Sequence, residues 1–212
     1  GAAFKVGALR RLILESMGFE GMFHAAKDYL QPVLQAVAVA AAAQLLIAEE
    51  LTDTQRSALL VGPVYLVLHL LSAAASRRAH RVVELTRGEE GATRLLWGLV
   101  VVVFAAMAAA ALHETVPVLI GAFVALYVLQ NLWRPVLISR VDRLSKPEQG
   151  ATVLSMESQG RRLATVIVAP LLGYAVDVAA TQGELARFWP VGVVGGLVAL
   201  AFFIRSGDSS TR

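Results

Sequence analysis

Residues 150–177 read GATVLSMESQGRRLATVIVAPLLGYAVD, and the stretch decides the fold. It has the composition of a membrane-spanning helix, yet Glu157, Arg161 and Arg162 stand in its polar half. From Arg162 to Asp177 the helix covers about 22 Å at about 1.5 Å per residue. A bilayer's hydrocarbon core is about 30 Å thick. With Asp177 at one boundary, Arg162 falls inside the core or snorkels out of it. Ionisable groups at that depth are costly and turn toward a bundle interior or a wet cavity. The expectation is a membrane protein with a polar interior path.

The rest of the chain agrees. It is 57% apolar over 212 residues with mean hydropathy +0.63, oilier than soluble domains, which sit near half apolar. The apolar residues gather at 57–75, 95–112, 116–138 and 191–204, each near the roughly 20 residues a spanning helix needs. None alternates as a barrel strand would. The fold class expected is all-α, a polytopic membrane protein forming a single six-helix domain over 1–212.

Cysteine is absent, which excludes disulfides and thiol-based metal or redox chemistry. No metal site and no cofactor are implied. The net charge of +3 follows topology, so nucleic acid is not expected as a partner. No Gly-x-x-x-x-Gly-Lys-Ser/Thr loop occurs, which disfavours a nucleotide-driven pump. The chain begins at Gly1 with no signal-peptide pattern, and a fragment of a twelve-helix protein is expected.

Six spans fit at 10–35, 55–76, 94–112, 116–139, 150–177 and 187–205. Loops assigned to one side then hold Lys5, Arg10, Arg11, Arg77, Arg78, Arg81, Arg87, Arg94, Arg140, Arg143, Lys146, Arg205 and Arg212; the other side holds Arg56 and Arg187. By the positive-inside rule both termini are cytoplasmic in a cell (inner) membrane. Glu49, Glu50 and Asp53 mark the first outer loop, and Trp97, Trp133 and Trp189 lie toward span ends, as interfacial anchors do.

In the first span Glu20, His24, Lys27, Asp28, Gln31 and Gln35 share about 100° of arc, opposite Leu14, Phe19, Met22 and Ala25. Pro32 is expected to kink this helix. A surface-lying amphipathic helix is the bland alternative. In the fourth span Tyr127, Gln130, Asn131 and Arg134 recur at i, i+3, i+4 and i+7. In the fifth, Glu157, Ser158, Arg161 and Thr165 share a face with Arg162 at its edge, and the i, i+4 spacing lets Glu157 pair with Arg161. The third and sixth spans carry no internal charge and read as scaffolding. Gly192, Gly195 and Gly196 form a packing face, and His69 reads as a hydrogen-bonded packing histidine.

Asn131-Leu-Trp-Arg-Pro135, Arg140-Val-Asp-Arg143 and Ala151-Thr-Val-Leu-Ser155 follow in order. So does Pro170-Leu-Leu-Gly173 ahead of Asp177, with the basic Ser76–Arg81 segment upstream. In these the chain resembles the C-terminal six-helix half of a major facilitator superfamily (MFS) transporter. The Ser76–Arg81 segment departs from that family's fuller Gly-x-x-x-Asp-Arg pattern. The resemblance implies that the first, second, fourth and fifth spans line a cavity and that a second six-helix half, or a second copy, completes it. It implies a secondary active transporter working by alternating access, coupled to a gradient. Candidate cavity residues are Glu20, His24, Lys27, Asp28, Gln31, Tyr127, Asn131, Arg134, Glu157, Arg161 and Arg162. Glu20, His24, Asp28 and Glu157 are possible proton carriers, and the charge balance favours an anionic or zwitterionic solute.

Enzymatic activity is not expected. Glu89-Glu90-x-x-x-Arg94 matches the glutamate pair of one intramembrane protease family. It stands in a hydrophilic loop, however, and neither Phe-x-x-x-His nor a rhomboid-type Gly-x-Ser motif accompanies it. The competing class is a stand-alone membrane scaffold, or a self-pairing half-transporter without transport of its own.

Overall fold

The structure, a computed structural model, describes residues 2–44 and 52–208, without the side chains of 2–6, 38–44, 53, 56, 57, 60, 147, 207 and 208. The outer-loop assignment of Glu49 and Glu50, the terminal Arg212, and the side chains of Lys5, Asp53 and Arg56 therefore lie outside the described residues. What is described is helical, with no strand among the described residues: α1 (Ala2–Lys27), α2 (Leu30–Gln44), α3 (Asp53–Leu85), α4 (Glu89–Leu112), α5 (Val116–Leu144), α6 (Gly150–Val178) and α7 (Trp189–Asp208). Four segments, 89–112, 116–144, 150–182 and 186–206, are long and apolar enough to cross a membrane, with mean hydropathies of 2.6, 1.8, 1.9 and 1.8. They match four of the six expected spans. The other two, 10–35 and 55–76, fall on α1–α2 and on α3.

α1 sits centrally, packed on α5, α6 and α7, while α4 packs on α7 and α5, and α3 on α5 and α2. Both faces of α1 are engaged. Phe19, Met22 and Ala25 are buried opposite the polar stripe, and Leu14 on that side is exposed. Phe19 stacks on Trp133 at 4.3 Å between ring centroids and meets the edge of Trp97 at 5.2 Å; Trp97 in turn stacks on Phe202 at 4.8 Å. Aromatic pairs at such separations add stabilisation beyond their buried area. Trp97 and Trp133, expected as interfacial anchors, are thus core residues, each 1% exposed. Position along a span fixes depth but not the direction in which a ring points. Trp189 does lie at a helix start, its indole N–H donating to Gln182 at 2.8 Å.

The seam between α4 and α7 is closed by small residues. A Cβ at Gly192 would stand 2.6 Å from the Phe104 carbonyl oxygen and 2.7 Å from the Ala108 Cβ, and one at Gly195 would enter the Phe104 ring. The close approach is that of small-residue helix interfaces. Gly196 has only ordinary contact there, 3.8 Å from the Phe104 Cβ.

Four boundaries differ from the sequence reading. The first span divides at Asp28–Tyr29 into α1 and α2. A proline lacks the N–H that would bond the carbonyl four residues back and its ring crowds that carbonyl, so the break falls at Asp28, one turn before Pro32. The chain recovers through Tyr29 N–H to the Ala26 carbonyl and Val33 N–H to the Tyr29 carbonyl, both 3.1 Å. The second and third are that Ser76–Arg81, read as a loop, continues α3 to Leu85, and that Arg140–Arg143 continues α5 to Leu144. Charge ends a hydrophobic run without ending a helix, because Arg is a good helix former. Finally, Glu89 and Glu90, read as loop, form the first turn of α4, where carboxylates complement the helix dipole.

Candidate functional site

Four charged side chains from three helices, with one serine, meet in a network around two buried carboxylates. On α1, Glu20 is fully buried; on α6, Glu157 is 1% exposed. Arg134 of α5 donates through one nitrogen, Nη1, to both carboxylates, at 3.3 Å to Glu20 Oε1 and 3.0 Å to Glu157 Oε1. Arg161 of α6 donates to the other oxygen of Glu20 at 2.7 Å. Ser16, one turn before Glu20, donates its hydroxyl to Glu157 Oε1. Two carboxylates and two guanidiniums alternate, so the set is formally neutral. Isolated charges in such surroundings are expensive, and pairing with charge-assisted hydrogen bonds offsets that cost. Glu157 Oε2 is buried with no hydrogen-bond partner among the described residues.

The helices that carry these groups are held close. A Cβ at Gly21 would lie 2.6 Å from the Ala164 Cβ, and one at Gly160 would lie 3.1 Å from Met17. Small residues at the α1–α6 crossing let the short Glu20 side chain reach Arg161. The expected i, i+4 pair between Glu157 and Arg161 is not formed. Each instead bonds across helices, since a partner on a facing helix meets the charge in the buried space where neutralisation is needed. Arg161 also donates to Ser158 at 3.4 Å.

The other sequence candidates are spread around this core. His24 Nε2 is 4.0 Å from Glu20 Oε2, at the rim of the network. Lys27 and Asp28 face each other at 3.8 Å, with Asp28 largely exposed. Gln31 and Arg162 are exposed. Tyr127 packs edge-on to Phe23 at 5.1 Å. The Asn131 amide donates to its own helix, to the Tyr127 carbonyl at 2.8 Å. His69 is exposed, its ring 6.2 Å from that of Tyr65.

A groove of about 600 Å³ opens beside α5, lined by Ser76, Gln130, Asn131, Arg134, Pro135, Ile138, Ser139 and Asp142. Arg134 belongs to both places. Its side chain is 29% exposed, with Nη1 on the two carboxylates, and it is one of the residues that line the groove.

A second network, absent from the sequence reading, ties α1, α4 and α5 together near Arg140. That residue, expected in a loop, is buried at 4% and donates to Glu15 at 2.6 Å, to Thr93 at 3.2 Å and to Glu90 at 3.3 Å. Arg11 reaches Glu15 at 2.8 Å, and Arg143 reaches Glu89 at 2.9 Å. Glu15 escaped notice because it lies five residues from Glu20, about 140° around the helix at 100° per residue. A single polar stripe could not include it. Its one sequence signal is the i, i+4 spacing from Arg11.

No protein-family model matches this chain, and no curated protein or solved structure matches it.

Proposed function

We propose that this chain is one six-helix half of an MFS-type secondary transporter that moves a small solute across the cell membrane by alternating access, with a proton as the coupling ion. The observation that carries the reading is the Glu20–Arg134–Glu157–Arg161 network, which shares Arg134 with a polar groove. Ionisable groups among membrane helices mark solute or proton paths by default. The network joins α1, α5 and α6, three of the helices that the resemblance makes cavity-lining. In this reading α1 bent into α2 forms the first span, and α3 to α7 the other five. Moving Arg140 into the bundle leaves the excess of basic residues on one side large, which supports cytoplasmic termini.

The test is transport by the protein expressed from its native reading frame and reconstituted in liposomes under an imposed pH gradient. Solute-dependent proton movement is expected, and it should vanish in Arg134→Ala and Glu157→Gln at unchanged membrane insertion. Near-normal transport in both variants removes them from the mechanism.

The formal neutrality of the network favours one other reading, a membrane scaffold or self-pairing half in which the charges only join helices. That reading expects a discrete dimer of the chain and no solute movement.

A further inference from the structure

We infer that the groove along α5 binds a small zwitterion, with its carboxylate on Arg134 and its ammonium on Asp142. The inference rests on the transporter reading and names the solute class for that same site.

Arg134 uses a single nitrogen for both buried carboxylates. Its Nε and Nη2 make no other hydrogen bond among the described residues, and the side chain lines the groove. A guanidinium held by one corner still presents a fork of parallel N–H donors, the geometry that a carboxylate accepts in bidentate fashion. The network also fixes the orientation of that fork, because Glu20 and Glu157 hold Nη1 from two different helices.

Charge selects the class. Arg134 and Arg161 are already balanced by Glu20 and Glu157, so a simple anion would leave an excess negative charge beside buried carboxylates. A zwitterion adds no net charge. Asp142 supplies the matching group: it is exposed, lines the groove, and has no ion pair among the described residues. Eight residues separate it from Arg134 on α5, a rise of about 12 Å. That spacing suits an extended amino acid whose amine is remote from its carboxylate. Ser76 and Gln130 offer neutral hydrogen-bonding groups along the wall.

The chain has no cysteine, so Ser76→Cys creates a single reporter inside the groove. Labelling by N-ethylmaleimide is timed on the full chain in lipid nanodiscs, with ε-aminocaproate, caproate or hexylamine present at equal ionic strength. The expected result is that ε-aminocaproate slows labelling, while caproate and hexylamine need concentrations about tenfold higher for equal protection. Arg134→Lys keeps the charge that satisfies Glu20 and Glu157 but loses the fork, and should raise the half-protecting concentration about tenfold. Asp142→Asn, at an exposed site with no ion pair among the described residues, should do the same, and Arg205→Gln should change nothing. Absence of protection, equal protection by the three compounds, or protection indifferent to both variants overturns the inference. Labelling requires no flux. Protection without solute movement would therefore uphold the site while removing the transporter reading, and transport of another solute without protection would do the reverse.

Discussion

Gly21 of α1 faces Ala164 of α6 so closely that a Cβ on the glycine would stand 2.6 Å from that of the alanine. The residue just before it on α1 is buried Glu20, and three residues before Ala164 is Arg161, the 2.7 Å partner of Glu20. The packing contact and the ion pair are therefore one joint.

Gly21→Ala should push the two helices apart and destabilise the protein by about 1–3 kcal/mol, the usual cost of overpacking. Adding Ala164→Gly should restore most of the loss. Thermal unfolding of the two variants in lipid or detergent checks this; equal melting temperatures for the single and double variants would show that the joint is not tight.

Glu20 and Arg161 should be energetically coupled. Glu20→Gln alone leaves two guanidiniums short of a counter-charge, and breaking a buried pair costs about 3–5 kcal/mol. The double variant Glu20→Gln with Arg161→Gln should be less damaged than the summed singles, by about 1–3 kcal/mol. Strict additivity in a denaturation cycle would mean that the pair contributes no mutual stabilisation.

Arg140→Met should destabilise strongly, because Glu15 would remain 3% exposed with only Arg11 beside it. Combining Arg140→Met with Glu15→Met is expected to recover stability to near the parent, since apolar residues of similar volume often replace a buried pair at no loss. Retention of stability by Arg140→Met alone would contradict the burial described for this end of the bundle.

Two of the three tryptophans are sealed in the core. Trp189→Phe should leave a blue-shifted emission from Trp97 and Trp133 that acrylamide hardly quenches, both residues being 1% exposed. Strong quenching in that variant would place them at the surface.

Much of this architecture was legible in the sequence. Long apolar runs located α4 to α7 within a few residues, because hydropathy and helix length report the same physical need. Composition also picked out Glu20, Arg134, Glu157 and Arg161, since charge within an apolar run is rare enough to be noticed. It does not say who meets whom: the i, i+4 spacing offers Glu157 a partner in Arg161 on its own helix, whereas three-dimensional packing gives it Arg134 and Ser16. Hydropathy misses helix ends wherever arginine-rich turns extend beyond the apolar part, as at Arg81 and Arg140. The break at Asp28 needed the one-turn offset between a proline and the carbonyl it displaces.

The partners of Glu20 lie 114 and 141 residues further along the chain. During synthesis α1 is therefore made long before either arginine exists. At a chain growth of about 5–20 residues per second, several seconds pass before α5 and α6 follow. In that interval Glu20 must stay hydrated or shelter against whatever holds the nascent chain. The helix that carries Glu20 is thus among the last of these to settle, and its final seat waits for the arrival of α6.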